Sequence, residues 1–388
     1  MAKPRKEKAK KKIAFLTGTR ADFGKIKPLI AKLHADGSFD VHIFATGMHM
    51  DSKYGSTVEE IEKAGFPNIF KFINYTGATT LDLVMGNTVL GFGNFVRQVQ
   101  PDLIVVHGDR SEAMAGALVG ALNNILVTHI EGGEVSGTVD EIIRHAVSKL
   151  SHTHFVANIG AQKRLLQMGE RSESVYVTGS PDLDVMKSDE LPDLDEVRGK
   201  YHIPFEKYGI ILFHPVTTEE GLLKKTENLC DALLESKCNY VVIYPNNDPG
   251  TDVILSVYED KLANDRRFVL FPSMRFEYFL SLLKHAHFIV GNSSSGVREA
   301  PFYGVPAINI GSRQKNRGNA KKEEGVFDVG HDKASILKLV KQFSKKKTRF
   351  EPTNEFGNGD SAENFLKILK GGKLWGTSIQ KQFLDIKF

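Results

Sequence analysis

Short apolar runs alternate with helical patterns along most of this 388-residue chain. The runs of its first part lie at residues 13–16, 41–47, 102–109, 125–133, 152–158 and 174–180. A second series begins at Tyr208, with runs at residues 208–215, 239–248, 267–273, 287–296 and 305–311. Uninterrupted apolar strands separated by helices are typical of parallel sheets that are covered on both faces. The pattern therefore predicts an α/β protein with two consecutive parallel sheets.

The apolar runs stop between residues 180 and 197, where Asp and Pro accumulate in SPDLDVMKSDELPDLDEV. Such a change is expected of a connection between domains, and the chain is long enough for two cores. We therefore predict a first domain over residues 13–185 and a second domain over residues 186–360. Residues 361–388 are predicted to hold a C-terminal helix, and whether it packs back on the first domain stays open. Residues 75–88 lack strong periodicity and fit either a flap or an ordinary crossover.

The net charge of +4 comes from the first twelve residues, which hold seven Lys or Arg and one Glu. A basic start of this kind would suit an arm that contacts nucleic acid. No aromatic residues are interleaved and no basic helix follows, so residues 1–12 are predicted to be a disordered, solvated tail. We therefore expect no nucleic-acid partner. We expect no membrane partner either, because no apolar stretch resembles a signal peptide or a membrane span. Two cysteines without a zinc-binding pattern fit a reducing compartment, and the cytoplasm is the expected location.

Charged residues follow the apolar runs of the first domain where parallel strands would end. Asp109 and Arg110 come at the end of one run, and Glu131 comes at the end of the next. Open parallel sheets bind ligands beyond the carboxyl ends of their strands. Asp140 and Arg144 lie four residues apart on the following helical pattern, where an ordinary surface ion pair is the alternative. That helix directly follows the Gly-rich segment EGGEVSGT, so we expect all five side chains to border one cleft.

Two segments have the features of phosphate sites. In TGTRAD, Arg20 stands beside a helix predicted from about Asp22, and the N–H groups of a helix start attract anions. Asp22 itself is interpreted as the cap of that helix. In GNSSSG, residues 291–296, a strand end meets three serines and a helix predicted from about Val297. These N–H groups and hydroxyls would suit a diphosphate, although the segment matches neither the Walker A nor the dinucleotide-binding motif.

Further candidates lie at the strand ends of the second domain. Glu299 would repel phosphate, so a ribose diol, which offers hydroxyl donors to a carboxylate, is its expected partner. Arg313 is then available to a phosphate or to Glu299. Besides a buried core role, a neutral His214 could give a hydrogen bond or a proton to a departing phosphate. Other histidines, including His107, are weaker candidates, and the pair at residues 152–154 has no apparent third ligand, so no metal site is predicted.

Together, these segments identify a family. The motifs that carry the resemblance are TGTRADFGKIKP, ATGMHM, VHGDR, HIEGGEVSGTVDEIIRHA, GSPDLDVM, FHPVTTE, YPNND, FPSMRFEYF, GNSSSGVREAP and GSRQ. Over residues 13–388 the sequence resembles the hydrolysing UDP-N-acetylglucosamine 2-epimerases, which convert UDP-N-acetylglucosamine and water to UDP and N-acetylmannosamine for sialic acid synthesis. The resemblance implies two Rossmann-like domains facing each other across a cleft, the GT-B arrangement. It also implies a homodimer or homotetramer that needs no cofactor or metal.

The resemblance assigns site residues motif by motif. Those of the catalytic group are Asp109, Glu131, Asp140, Arg144 and His214. Those on the UDP and phosphate side are Arg20, Lys25, Arg110, Ser293, Ser294, Glu299 and Arg313. Position 24 holds Gly where some relatives carry a phosphate-contacting serine, so no side-chain contact is expected there.

The implied chemistry is an elimination followed by a hydration. Loss of UDP from C1 makes the C2 proton removable and gives a glycal. Water then adds at C1 while a proton returns to C2 from the opposite face. Carboxylates that lie close together push their pKa values apart, so Asp109 and Glu131 are expected to divide the roles of base and acid, in an order left open.

Several alternatives stay open. Some members of the family act on nucleotide-linked 2,4-diacetamido-2,4,6-trideoxyglucose, but segments such as ATGMHM and GSPDLDVM favour N-acetylglucosamine. Non-hydrolysing epimerases typically begin G-T-R-P-E, whereas this chain has GTRAD. From other classes, a GT-B glycosyltransferase would require an acceptor, and a nucleotide-sugar sensor would bind UDP without turnover.

Overall fold

The computed structural model describes residues 9–51, 57–75, 80–136, 139–246, 248–314, 324–382 and 384–385. Within these ranges the strands form two parallel sheets, one in each half of the chain. Helices connect the strands, and apolar side chains from strands and helices form the cores against the sheets. The predicted α/β fold with two parallel-sheet domains is therefore confirmed.

The first sheet has the strand order β3-β2-β1-β4-β5-β6-β7. Its strands are β1 (Lys11–Thr17), β2 (Phe39–Ala45), β3 (Ile69–Lys71), β4 (Leu103–His107), β5 (Leu126–Ile130), β6 (Thr153–Val156) and β7 (Val175–Val177). The second sheet has the order β10-β9-β8-β11-β12-β13. Its strands are β8 (Gly209–Leu212), β9 (Tyr240–Ile243), β10 (Phe268–Phe271), β11 (Phe288–Gly291), β12 (Ala307–Ile310) and β13 (Val326–Val329). The chain order reverses beside β1 and beside β8, and such reversals open a crevice for ligands at the carboxyl ends of the strands.

The helices of the first part are α1 (Arg20–Asp36), α2 (Val58–Lys63), α3 (Leu81–Val99), α4 (Ser111–Leu122), α5 (Val139–Leu150), α6 (Ile159–Gln167), α7 (Asp182–Met186) and α8 (Leu194–Lys200). Those of the second part are α9 (Leu222–Ser236), α10 (Thr251–Lys261), α11 (Phe276–His285), α12 (Glu299–Phe302), α13 (Lys333–Lys345) and α14 (Ser361–Lys370). Within the described ranges, no helix combines the length and the apolar character that crossing a membrane requires.

Neighbouring residues of the central strands face opposite sides of the sheet, as the period of two in a strand requires. Ile13 and Phe15 of β1 join the core on one face, and Ala14 and Leu16 join the core on the other. The first of these cores includes α14, whose Phe365 ring lies 6.5 Å from the ring of Phe15. The C-terminal helix therefore covers the first sheet, although the chain reaches it from the second.

The first strand begins at Lys11, so it includes the last two residues of the predicted 1–12 tail. Lys11 pairs with Asp102 at 3.0 Å, and Lys12 Nζ donates to Val99 O at 2.9 Å. Two charged side chains at the strand start hid it from the hydrophobic pattern. Residues 1–8 lie outside the described ranges, so the disorder predicted for them stays a prediction.

Two regions differ from the sequence pattern. The segment left open as a flap or a crossover contains the start of α3 at Leu81, whereas residues 76–79 lie outside the described ranges. The edge strand β13 and the helix α13 that follows it were not predicted. In β13 only Val326 is buried, so the strand lacks the continuous apolar run that marks the inner strands.

Candidate active site

A cavity of about 240 Å³ lies between the carboxyl ends of the two sheets. Its lining comes from segments that follow β1, β4 and β5 in the first domain and β8 to β12 in the second. All the site residues predicted from the sequence line it, namely Arg20, Lys25, Asp109, Arg110, Glu131, Asp140, Arg144, His214, Ser293, Ser294, Glu299 and Arg313. Residues up to 293 positions apart in the chain meet here because each follows a parallel strand or begins a helix at the same edge of its sheet.

Glu131 follows β5 in a left-handed backbone conformation, with φ at +64°. Residues other than glycine adopt this conformation at a cost of about 1 kcal/mol, and such positions cluster at functional sites. The Glu131 N–H remains in the sheet, where it donates to Phe155 O at 2.9 Å. The backbone therefore turns sharply at the strand end while the carboxylate stays at the cavity.

Arg298 follows the serine segment of the second domain and is 2% exposed. Its Nη2 and Nη1 donate to the two oxygens of Glu131 at 2.5 and 3.1 Å. Nη1 also donates to Glu134 Oε1 at 2.7 Å, and Nη2 donates to Asp182 Oδ2 at 3.3 Å. The planar guanidinium presents several donors in a fixed fork, which suits this arrangement. One arginine of the second domain thus holds three carboxylates of the first.

Glu131 is ionised in this setting. Burial alone would raise the pKa of Glu131, but the charges of Arg298, Lys25 and His107 hold it well below its ordinary value of 4.5. The sequence led us to expect that a neighbouring carboxylate would set this pKa and left the direction open. The structure instead gives the role to three cations, none of which the motifs had connected with Glu131.

His107, the last residue of β4, lies between two carboxylates. Its Nδ1 is 2.7 Å from Asp22 Oδ1, and its Nε2 is 3.3 Å from Glu131 Oε2. Burial disfavours the charged ring, but these carboxylates outweigh it and raise the pKa of His107 to about 10. The interpretation of Asp22 as the cap of α1 is wrong: Thr19 Oγ1 caps the helix and accepts the Asp22 N–H at 3.1 Å. The Asp22 carboxylate therefore reaches the histidine instead of the helix end.

Asp140 and Arg144 do not form the surface ion pair that was the alternative for them. Arg144 is 1% exposed, bonds the carboxylate of Asp109 and donates to Glu134 O at 3.3 Å. Asp140 accepts from Arg313 Nη2 of the second domain at 3.1 Å. Helix α5 thus directs both side chains toward the cavity, because residues four apart share one face of a helix.

Each cation predicted for the phosphate side contacts a carboxylate. The pairs are Arg20–Glu60 at 3.0 Å, Lys25–Glu299 at 2.9 Å, Arg110–Asp248 at 3.4 Å and Arg313–Asp140 at 3.1 Å. The last three join the two domains. A diphosphate that entered the cavity would compete with these carboxylates for the same cations.

The serine segment forms a tight turn. Ser293 Oγ accepts the N–H of Ser295 at 3.3 Å, and a 3₁₀ turn spans Ser294–Gly296. The helix predicted from about Val297 begins at Glu299 and is only four residues long. A phosphate would therefore find the N–H groups and hydroxyls of a turn here, whereas a long helix start lies across the cavity at α1.

Glu299 is a buried carboxylate that faces the cavity and is 1% exposed. Lys25 Nζ lies 2.9 Å from its Oε1, but neither oxygen accepts a well-aligned hydrogen bond from any residue that the structure describes. Buried acceptors normally have donors, so hydroxyl groups of a ligand would fit this position. Arg313, for which phosphate and Glu299 were the expected partners, pairs with Asp140 among the described residues.

His214 lies just beyond β8 and is fixed at two atoms. Its backbone N–H donates to Asn292 Oδ1 at 2.7 Å, and its ring Nδ1 accepts the backbone N–H of Asn246 at 3.2 Å. An accepting Nδ1 places the proton of the neutral ring on Nε2. Burial, together with the charges of Arg313 and Arg110, holds the pKa of His214 well below 6.5. His214 can therefore donate a hydrogen bond to a ligand, but it does not carry an extra proton at neutral pH.

Sequence reasoning did not select Arg298 or Asp182, and it ranked His107 low. Arg298 stands inside the GNSSSGVREAP motif, and His107 stands at the end of an apolar run, so both had a positional signal. The sequence did not show which residues would contact Arg298 and His107. The carboxylates that make these two residues important come from strands and helices distant in the chain.

The comparisons with known proteins agree on one family. A family model described as UDP-N-acetylglucosamine 2-epimerase matches residues 31–370. A Neisseria meningitidis protein named UDP-N-acetylglucosamine 2-epimerase is 46% identical over 97% of this chain and 99% of its own length. A Legionella pneumophila protein named UDP-N,N′-diacetylbacillosamine 2-epimerase (hydrolyzing) is 33% identical over 93% of this chain and 96% of its own length. An Escherichia coli protein named polysialic acid biosynthesis protein P7 is 33% identical over 97% of this chain and 98% of its own length.

The fold has solved counterparts. A UDP-GlcNAc 2-epimerase from Neisseria meningitidis, solved with UDP-GlcNAc bound, superposes with a TM-score of 0.79 at 20% identity. The match covers 93% of this chain and all of that one. At this identity the likeness shows the fold, which is the two-domain GT-B-like arrangement.

Proposed function

The chain belongs to the UDP-N-acetylglucosamine 2-epimerase family, and we propose that it is a hydrolysing member. In this proposal it converts UDP-N-acetylglucosamine and water to N-acetylmannosamine and UDP for sialic acid synthesis. The observation that carries the proposal is the cavity between the two sheets, which combines the serine turn of the second domain with several cations and with carboxylates of the first domain. Relatives named as a hydrolysing 2-epimerase and as a polysialic acid biosynthesis protein support the hydrolysing activity and the pathway.

The second domain suits the nucleotide. The turn at Ser293 and Ser294 offers hydroxyls and N–H groups to the diphosphate, and Glu299 offers acceptors to ribose hydroxyls. Arg313 and the neutral His214 add positive charge and a hydrogen-bond donor at the leaving group. Fixed donors aimed at developing negative charge stabilise the departure of UDP. Cationic side chains supply the charge that this step requires.

The first domain suits the sugar, because its side of the cavity carries Asp109, Glu131 and Asp140. As the C1–O bond breaks and its electron pair leaves with UDP, a carboxylate accepts the C2 proton and a C1=C2 glycal forms. Protonation of C2 and addition of water at C1 then give N-acetylmannosamine. The contact with Arg144 orients the Asp109 carboxylate for the role of base.

The test is proton NMR of UDP-N-acetylglucosamine incubated with the protein in D₂O. We expect UDP and free N-acetylmannosamine that carries deuterium at C2. The Asp109→Asn variant is the matched control, and it is expected to bind UDP as the wild type does without turning the sugar over. Accumulation of UDP-N-acetylmannosamine would contradict the hydrolysing assignment.

A second candidate substrate is UDP-N,N′-diacetylbacillosamine, for which the Legionella relative is named. The 46% identical relative, named for UDP-N-acetylglucosamine, favours the first substrate. Parallel incubations with the two UDP-sugars decide between them, because the true substrate gives the higher kcat/KM. A protein that binds UDP and turns over neither sugar would be a sensor.

The expectations of a cytoplasmic location and of a homodimer or homotetramer belong to the same proposal. The activity uses a UDP-sugar and water and no redox cofactor. Sedimentation of the purified protein measures the oligomeric state directly.

A further inference from the structure

The proposed hydration step needs a group that gives a proton to C2, and the two carboxylates expected from the sequence are poorly suited to it. Both oxygens of Glu131 accept hydrogen bonds from Arg298, and Asp109 is paired with Arg144. An arginine beside a carboxylate favours the ionised form, which carries no proton to give. The proton donor is therefore better sought among the other groups of the cavity.

His107 lines the same cavity and is anchored at one nitrogen. Its Nδ1 lies 2.7 Å from Asp22 Oδ1, and Asp22 Oδ2 is held by Thr17 Oγ1 at 2.7 Å and by the Gly18 N–H at 3.1 Å. Its Nε2 lies 3.3 Å from Glu131 Oε2, and no described residue makes a well-aligned hydrogen bond to it. The anchored ring thus presents a second N–H that the protein leaves without a good acceptor.

The surroundings of the ring keep it protonated. The groups that face it are Asp22 from α1, Glu131 after β5 and the neutral His129 on β5, with Arg298 and Lys25 beyond Glu131. Two adjacent carboxylates raise the pKa of His107 to about 10, so the ring is charged at neutral pH. A protonated imidazole that is fixed by a carboxylate is a suitable general acid.

We propose that His107 is the acid of the hydration step and that Asp22 is its positioning residue. The inference rests on the proposed function. The π electron pair of the C1=C2 bond forms the new C2–H bond with the proton of Nε2, and C1 becomes electron-deficient. Water adds to C1 with an oxygen lone pair and gives a proton to a carboxylate of the cavity. His107 then regains a proton from solvent, and the carboxylate releases to solvent the proton that it took from water. No oxidant or reductant is needed.

The first experiment uses His107→Gln in the NMR assay, with His285→Gln, the last residue of α11 and outside the cavity lining, as the control. UDP release should persist, while conversion of the glycal should fall by at least about 100-fold, the usual scale of general-acid catalysis. The variant should therefore accumulate 2-acetamidoglucal and UDP in place of N-acetylmannosamine. The control should give the wild-type products at the wild-type rate.

The second experiment measures hydration of 2-acetamidoglucal, supplied together with UDP, as a function of pH. The wild-type rate should stay level near neutral pH and fall as the pH approaches about 10, where His107 loses its proton. Asp22→Asn removes one of the anions that raise this pKa, so the fall should begin at lower pH. This milder variant keeps the test informative if His107→Gln fails to fold.

The outcomes separate the two proposals. If the wild type releases no N-acetylmannosamine from UDP-N-acetylglucosamine, the proposed function fails. If the wild type does so and His107→Gln yields N-acetylmannosamine without accumulating the glycal, only the role of His107 fails. A loss of UDP release as large as the loss of hydration, or an unshifted pH profile for Asp22→Asn, would also overturn that role.

Discussion

Two histidines on neighbouring strands show that single residues take their properties from their contacts. His107 on β4 faces Asp22 and Glu131, and its pKa rises to about 10. His129 on β5 is buried against Gly108 O and Ser148 Oγ, and burial lowers its pKa to about 3. At neutral pH one ring is therefore a cation and the other is neutral, although both follow similar apolar sequences.

Arg298 gives a prediction at the residue scale. Arg298→Lys keeps the charge but not the fork of donors, so Glu131 loses its two-point contact. We expect kcat to fall at least about 10-fold while UDP affinity changes little, because the serine turn is untouched. Since Arg298 lowers the pKa of Glu131, weakening that contact should raise it, and the acid limb of the pH–rate profile should move to higher pH. An unchanged kcat and an unchanged acid limb would show that Arg298 has only a structural role.

Stability provides an independent check on the same side chain. Arg298→Met leaves Glu131, Glu134 and Asp182 buried without their shared cation, which typically costs about 3–5 kcal/mol. Urea denaturation of both variants measures this cost. If Arg298→Met is destabilised and Arg298→Lys is not, the lower kcat of Arg298→Lys comes from the lost orientation of Glu131 and not from a loss of folding.

Helix α5 shows how an element is placed from both ends. Its first half carries Asp140 and Arg144 at the cavity, and its last turn is held by the C-terminal segment of the chain. Lys381 Nζ donates to Ser148 O, Lys149 O and Ser151 O at 3.1, 3.0 and 2.6 Å. A cation at the C-terminal end of a helix also complements the helix dipole. The end of the chain therefore fixes a helix that carries two of the proposed catalytic side chains.

The prediction for this element is that Lys381→Met destabilises the protein and slows it. Loss of the charged hydrogen bonds to these three carbonyls should lower the free energy of unfolding by about 1.5–3 kcal/mol. Lys370→Met is the control, because its pair with Asp36 is half exposed and such pairs contribute about 0–1 kcal/mol. Urea denaturation and steady-state kinetics of both variants give the comparison. Equal effects of the two substitutions would contradict a role for Lys381 in holding α5.

At the scale of the whole molecule, the two domains meet at close range near the cavity. A Cβ atom built on Gly24 of α1 would lie 2.5 Å from Phe276 Cβ of α11, closer than such atoms approach. Glycine at position 24 therefore lets the helices of the two domains come together. The glycine at this position, which the sequence showed to lack the phosphate-contacting serine of some relatives, therefore also allows a closer approach of the domains.

Gly24→Ala tests this approach, because it adds a Cβ atom without a hydroxyl. The added side chain should force α1 and α11 apart at a cost of about 1–3 kcal/mol, the usual penalty of overpacking. UDP affinity should fall by about 10-fold, because both sides of the cavity would no longer reach the ligand together. Gly86→Ala is the matched control, since among the described residues nothing lies within 4 Å of a Cβ at that helical position. Calorimetric titration measures the UDP affinity of the two variants. Equal affinities would contradict the inferred close packing.

The sequence by itself determined the class of fold and the list of candidate residues. Apolar runs such as those ending at Asp109 and Glu131 indicate buried parallel strands, and polar residues after them must lie at one edge of the sheet. The tertiary structure decided which of these residues pair, and therefore which are charged. Arg298 reaches Glu131 across 167 positions of the chain, and Asp22 reaches His107 across 85. Side-chain pKa values depend on such neighbours and on burial, and neither is encoded in a local pattern, so the distribution of protons at this site depends on contacts within the first domain and between the two domains.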